Sequence, residues 1–114
     1  MPAIHTADIK SDHPTADQAP RRVDMALAVA RMSGASVIKL IHGYGSTGQG
    51  GAIRTETRRY LGELKARGKV KAFIPGEDFS IFNAETRSAL QACAALRQDS
   101  DLERGNNGIT IILL

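Results

Sequence analysis

Tryptophan is absent from this 114-residue chain, and two tyrosines and three phenylalanines are its only aromatic residues. A core must therefore be built mainly from Ile, Leu, Val and Ala. One cysteine, Cys93, excludes an internal disulfide and fits a reducing cytoplasm. With no His or second Cys beside it in the sequence, Cys93 reads as a buried small hydrophobe rather than a nucleophile or metal ligand. No apolar run is long enough to span a bilayer, and Met1–Lys10 lacks the basic-then-apolar order of a signal peptide. Internal repeats and low-complexity linkers are missing as well. The length suits one domain over residues 1–114, and 42% hydrophobic with 24% charged residues is an ordinary globular balance.

What is present is an uneven charge pattern laid over alternating strand and helix signals. The net charge is only +3, yet Arg54 to Lys71 holds seven basic residues against Glu56 and Glu63. Glu77 to Glu103 holds six acidic residues. A basic cluster of this kind is either a solvated helix face or the electrostatic footprint of a nucleic-acid binder. Along the chain, Ala3–Ile9 half-alternates as a first strand. From about Ala16 to Ser33, Val23, Ala26, Leu27, Ala30 and Met32 follow helical spacing, with Thr15 as a cap, Pro20 in the first turn of a helix from about Ala19, and Gly34 as its stop. Val37–Ile41 is a short buried strand. Ile53, Thr57, Tyr60, Leu61 and Leu64 line one face of a second helix that Gly68 ends. Val70–Ile74 is a third strand stopped by Pro75-Gly76, a helical stretch spans Ala84–Arg97, and Ile109–Leu114 closes the chain as a strand after Asn106-Asn107-Gly108. This order predicts an α/β fold: a two-layer β-α-β-α-β-β sandwich with a mixed four-stranded sheet and an inserted helix before the last strand. The insertion covers about 76–105, with Phe79, Ile81 and Phe82 expected to pin it to the sheet. An uncovered sheet face would invite dimerisation.

The segment His42-Gly43-Tyr44-Gly45-Ser46-Thr47-Gly48-Gln49-Gly50-Gly51 joins the second strand to the basic helix. Its glycines relax backbone restrictions and let a phosphate approach main-chain N–H groups, while the helix start adds unpaired donors and partial positive charge. Gly43-x-Gly45-x-x-Gly48 also satisfies the dinucleotide fingerprint, a weak pattern alone. Here the preceding strand is the second, Glu63 falls inside the helix, and the chain lacks room for two mononucleotide-binding halves, so a nicotinamide or flavin role is disfavoured. A Walker-type loop is excluded because no Gly-Lys-Ser/Thr follows.

Ile41-His42-Gly43-Tyr44-Gly45 resembles the His-Gly-x-Gly signature of the Smr (small MutS-related) domain family. Gly51-Ala52-Ile53-Arg54 is similar to the opening of that family's second helix, and Gly105-Asn106-Asn107-Gly108-Ile109-Thr110-Ile111 to its closing turn and strand. The resemblance implies a core like the C-terminal domain of translation initiation factor three, binding of DNA or RNA, and in several members nicking endonuclease activity. Active members carry Leu-Asp-x-His at the end of the first strand. This chain reads Ala7-Asp8-Ile9-Lys10, so Asp8 is kept and Lys10 replaces the histidine, with His5 and His13 nearby in sequence. Lysine is a poor base near neutral pH but a good phosphate partner, so the substitution implies retained binding with lost or altered cleavage.

The candidate nucleic-acid-binding residues are accordingly Lys10, His42, Gly43, Tyr44, Gly45, Gly48, Arg54 and Arg58. Asp8 and His42 are the candidate catalytic pair, with Mg²⁺ or Mn²⁺ as cofactor if the protein is a nuclease. His42 has two readings, a structural one bonding backbone groups to shape the glycine segment and a functional one touching phosphate or moving a proton. Tyr44 either stacks on a base or packs across the loop. Arg54 and Arg58 lie one turn apart; Arg58 either meets phosphate or pairs with Glu56 or Glu63. Glu77 and Asp78 either join Asp8 in a metal site or form a solvated turn. A protein-interaction module with a purely structural glycine turn is the remaining alternative.

Overall fold

The computed structural model describes residues 3–12, 14–43 and 50–114. In chain order they form β1 (Ile4–Asp8), α1 (Ala19–Met32), β2 (Val37–Ile41), α2 (Gly50–Ala66), β3 (Ala72–Pro75), α3 (Ala84–Ala92) and β4 (Ile109–Leu113). Short 3₁₀ turns occupy Ala16–Gln18, Gly76–Asp78 and Ala94–Gln98. The sheet order is β1-β2-β4-β3, with β1 parallel to β2 and β4 antiparallel to both its neighbours. The α/β fold with a mixed four-stranded sheet is the one the residue pattern predicts.

Local chemistry explains the helix ends. The Thr15 N–H donates to Gln18 Oε1 at 2.9 Å while the Gln18 N–H donates to the Thr15 carbonyl at 3.0 Å, closing the turn before α1. Pro20 sits in the first turn of α1, where an N–H would have no helical partner. Gly34, at φ +79°, ends α1, and the Ala35 N–H bonds back to the Ala30 carbonyl at 3.0 Å.

Strand alternation sends side chains to two separate clusters. On one face Ile38, Leu40 and Ile112 pack with Val23, Ala26, Leu27 and Ala30 of α1 and Leu61 and Leu64 of α2. On the other, Val37, Ile74, Ile109 and Ile111 pack with Phe79, Ala89, Leu90, Cys93 and Leu96. The segment between β3 and β4 therefore covers the face that the sequence left bare, which corrects the expectation of an open face available for dimerisation. Cys93 is a buried member of this cluster, as its lone occurrence suggested. Helical structure stops at Ala92, and an extended step at Cys93 (φ −140°, ψ 91°) precedes the 3₁₀ turn, which lets both Cys93 and Leu96 enter the cluster.

Two polar anchors hold the segment between β3 and β4. Lys39, on the covered face of β2, meets Asp99 at 3.0 Å and Asp101 at 2.6 Å with its side chain 12% exposed. Burial opposes its charge, but the two carboxylates outweigh that and raise the Lys39 pKa. At the other end, Glu103 accepts from Ser80 Oγ and the Ile81 N–H, each at 2.7 Å. Those bonds fix the Ser80–Phe82 turn without apolar burial. Of the three residues expected to pin the insertion, Phe79 is 1% exposed, whereas Ile81 is 50% and Phe82 87% exposed. No helix among the described residues is long and apolar enough to cross a membrane.

Candidate functional site

The parallel strands β1, β2 and β3 all end, and β4 begins, at one end of the sheet. That end carries the start of α2 and the Gly76–Asp78 turn. It is the place where α/β sheets usually hold ligands. Asp8, Lys10, His42, Gly43, Arg54, Arg58 and Glu77 are all brought there by the connections leaving these strands. Tyr44, Gly45, Gly48 and His13 lie outside the described residues. His5 faces α1 instead, lining with Ala7, Met25 and Val29 a groove of about 440 Å³ that Asp8 also borders.

His42 follows β2 and is fully buried. Its Nδ1 is 2.8 Å from the Gly43 carbonyl, which can only accept, so the proton is assigned to Nδ1. Nε2 then accepts from the Thr110 hydroxyl at 2.8 Å. Burial drives the pKa of His42 down to about 4 against the pull of the Gly43 carbonyl, with the positive charges of Arg58 and Arg54 helping. The ring is neutral near pH 7 and both its nitrogens are engaged. Of the two readings of this residue, the geometry matches the structural one.

Thr110 links that ring to a charged pair. Its Oγ1 accepts from Arg58 Nε at 3.3 Å. Arg58 Nη1 and Nη2 grip Glu77 Oε2 and Oε1 at 2.8 Å each, and Nη2 also reaches the carbonyls of Asn107 and Ile109 at 3.3 Å. Partial burial works against the Glu77 charge, but Arg58 outweighs it and holds this carboxyl below the usual carboxylate range. A continuous path thus runs from Glu77 through Arg58, Thr110 and His42 to Gly43. The intrahelical partners weighed for Arg58 go to its neighbour: Arg59 pairs with Glu56 and, at 2.8 Å, with Glu63. Replacing Arg58 by Met is expected to lower stability by about 2 kcal/mol, since the Ile109 carbonyl and the Thr110 hydroxyl, both on buried residues, lose a charged donor. The denaturant midpoint should fall at unchanged slope. A midpoint equal to the parent's would show that the path adds nothing to the fold.

Gly43 takes φ +80°, a region that favours glycine. A Cβ built on it would sit 3.3 Å from Lys10 Cδ, so the lysine stem lies over the start of the glycine segment. The Gly43 and His42 N–H groups both donate to the Gly108 carbonyl at 3.0 Å. The Gly43 amide, considered above as a phosphate donor, is therefore already bonded inward. Asp8 Oδ1 accepts from the N–H groups of Lys10 at 2.9 Å and Ser11 at 3.2 Å, shaping the turn after β1, and Lys10 Nζ lies 3.6 Å from Oδ2. Partial burial raises the Asp8 pKa, but these hydrogen bonds and the Lys10 charge bring it below its ordinary value. Arg54, one turn before Arg58, is half-buried, and its positive charge bears on both His42 and Glu77.

The metal reading is not supported. Among the described residues no group of three His, Cys, Asp or Glu side chains is placed to hold a metal ion. Glu77 faces Arg58 and Asp8 faces the Lys10 turn, so the carboxylates considered for Mg²⁺ or Mn²⁺ do not converge. Sequence reasoning missed three participants. Glu77 looked like a turn acid, Thr110 like an ordinary strand residue, and Gly108 contributes only its carbonyl.

The Smr domain family model matches residues 12–80 of the chain. Among solved structures, the Smr domain of Thermus thermophilus MutS2 is similar across 96% of each chain, with a TM-score of 0.57 at 24% identity. At that identity the likeness is one of fold. No curated protein matches the chain.

Proposed function

This chain belongs to the Smr domain family, and from that premise we propose that it binds DNA or RNA at the sheet end carrying Lys10, Gly43 and Arg54. The observation that supports this most directly is the lysine stem laid against Gly43. It puts a half-exposed lysine side chain beside Gly43, at the sheet end from which α2 starts. Lys10, Arg54 and main-chain groups of that segment would meet backbone phosphates, with Gly45 and Gly48 the proposed amide donors and Tyr44 a stacking surface. Phosphate contacts carry no base information, so recognition is of shape or branching rather than of a base string. His42 acts one step back, as the buried brace that fixes where the glycine segment leaves β2.

Nicking activity, known in the family, has less support in this chain. Lys10 stands where the motif histidine would be, and His42 has no ring nitrogen open to a substrate. Binding without cleavage is the reading these residues favour.

Titrating a labelled branched DNA and a structured RNA at about 50 and about 200 mM salt tests it, because released counterions make affinity fall steeply as salt rises. The double variant Lys10→Glu, Arg54→Glu should weaken binding at least about tenfold at the lower salt. Affinity that ignores both salt and charge reversal would refute the proposal and point to a protein-interaction module. The same substrates, incubated with Mg²⁺ or Mn²⁺, should stay intact; a cut strand would move the reading to an endonuclease.

A further inference from the structure

Arg58 is held on two edges of its guanidinium group. Its Nε and one edge of Nη2 are fixed by three neutral oxygens, from Thr110, Asn107 and Ile109. These would hold the guanidinium in place whatever occupied its outer edge. That outer edge presents Nη1 and Nη2 side by side, and in the structure a single group fills it, the carboxylate of Glu77, at two matched distances of 2.8 Å. The Glu77 side chain is 45% exposed while that of Arg58 is 19% exposed, so the acid forms the solvent side of the pair. Glu77 comes from the three-residue turn Gly76–Asp78. It can leave by side-chain rotation while Gly76 stays in place.

A phosphodiester carries the same single negative charge as a carboxylate, and two of its oxygens suit the same planar pair of donors. We infer that the outer edge of Arg58 is a phosphodiester-binding fork whose place is kept in the free protein by Glu77, and that a nucleic-acid phosphate displaces that carboxylate. The inference rests on the nucleic-acid reading above and names one further phosphate position within it. Binding there exchanges one anion for another, so Glu77 lowers affinity and removes one phosphate contact from sequences or shapes too weak to displace it.

Glu77→Gln tests this, since glutamine keeps the size and one acceptor but not the charge. Measured against the wild-type chain on the same labelled DNA, affinity at about 0.1 M salt should rise three- to tenfold (roughly), and the salt slope should steepen by about one. Asp78→Asn is the control for charge in general, because Asp78 is adjacent yet is not among the partners of Arg58; its effect should be smaller and its slope unchanged. Glu77→Asp, which keeps the charge but draws it one methylene away from the fork, should give a lesser gain in the same direction. Equal affinity and slope for Glu77→Gln and wild type overturn the inference, as does a matching gain from Asp78→Asn or a loss from Glu77→Asp. If wild type binds and the Glu77 variants do not differ from it, only this inference falls. If neither wild type nor any variant binds, the nucleic-acid reading falls and takes this one with it.

Discussion

Gly76→Ala should unfold the protein at markedly lower denaturant, with a loss on the order of 4 kcal/mol. An added Cβ would lie 1.8 Å from the Asn106 carbonyl oxygen, 2.7 Å from Ile109 Cγ1 and 2.9 Å from the Ile109 carbonyl oxygen. Two of those three atoms are main chain and cannot rotate aside. Relief requires the turn after β3 to move away from the segment entering β4, and β3 pairs directly with β4. The same movement pulls Glu77 from Arg58 and shifts the Ile109 and Asn107 carbonyls that hold the guanidinium. The damage should therefore reach beyond packing, with a smaller unfolding slope if native order around β4 is lost. An alanine variant that melts with the parent would mean the close approach is not a constraint.

Stability should also fall as pH drops from about 6.5 to about 4, by up to about 3 kcal/mol from His42 alone. In the folded chain this imidazole stays neutral down to about pH 4, because burial and two neighbouring arginines oppose its protonation. In the unfolded chain it protonates near 6.5. Between those values the unfolded state binds the extra proton, so acid favours unfolding, and the contribution is fully present only above about 6.5. Asp8, Glu77 and Asp101 have lowered pKa values and push in the same direction, but at the more acidic pH where carboxylates titrate. The interval from about 5 to 6.5 thus isolates the histidine. Denaturation curves across it should slope for the parent and flatten for His42→Gln. A parent curve flat over that interval would contradict a buried neutral ring.

These two residues also mark the limits of what the chain's order of residues conveys. Periodic and punctuating features were legible. Val37–Ile41 is a strand with the expected bounds, α1 starts at Ala19 beyond its capping turn, and Gly34 closes it with positive φ. Such features depend on neighbours a few positions away. Gly76 was legible only as a turn residue, whereas its need for a bare Cα comes from Asn106 and Ile109, some thirty residues on. Arg58 had plausible acids at helical spacing, yet its partner is Glu77, nineteen positions distant, because β3 carries that acid back beside α2. The covered second face was hidden for a similar reason. Leu90, Cys93 and Leu96 show apolar spacing, but spacing does not say which side of a sheet a helix will take. At the site, the resemblance drew attention to His42 and Lys10 along the chain, while the hydrogen bond that engages the buried ring comes from Thr110, which no local pattern flags.

The attachments of the segment between β3 and β4 have a bearing on how fast the proposed nucleic-acid ligand would be met. Phe79 is sealed beneath the sheet one residue past the Gly76–Asp78 turn, and Lys39 clamps the far end through Asp99 and Asp101. With both ends tethered, departure of the Glu77 carboxylate is a rotation about its own side-chain bonds, a picosecond-to-nanosecond event for a half-exposed group. Association should then run at the rate set by diffusion and charge, with no slow opening step and a single-exponential approach to equilibrium.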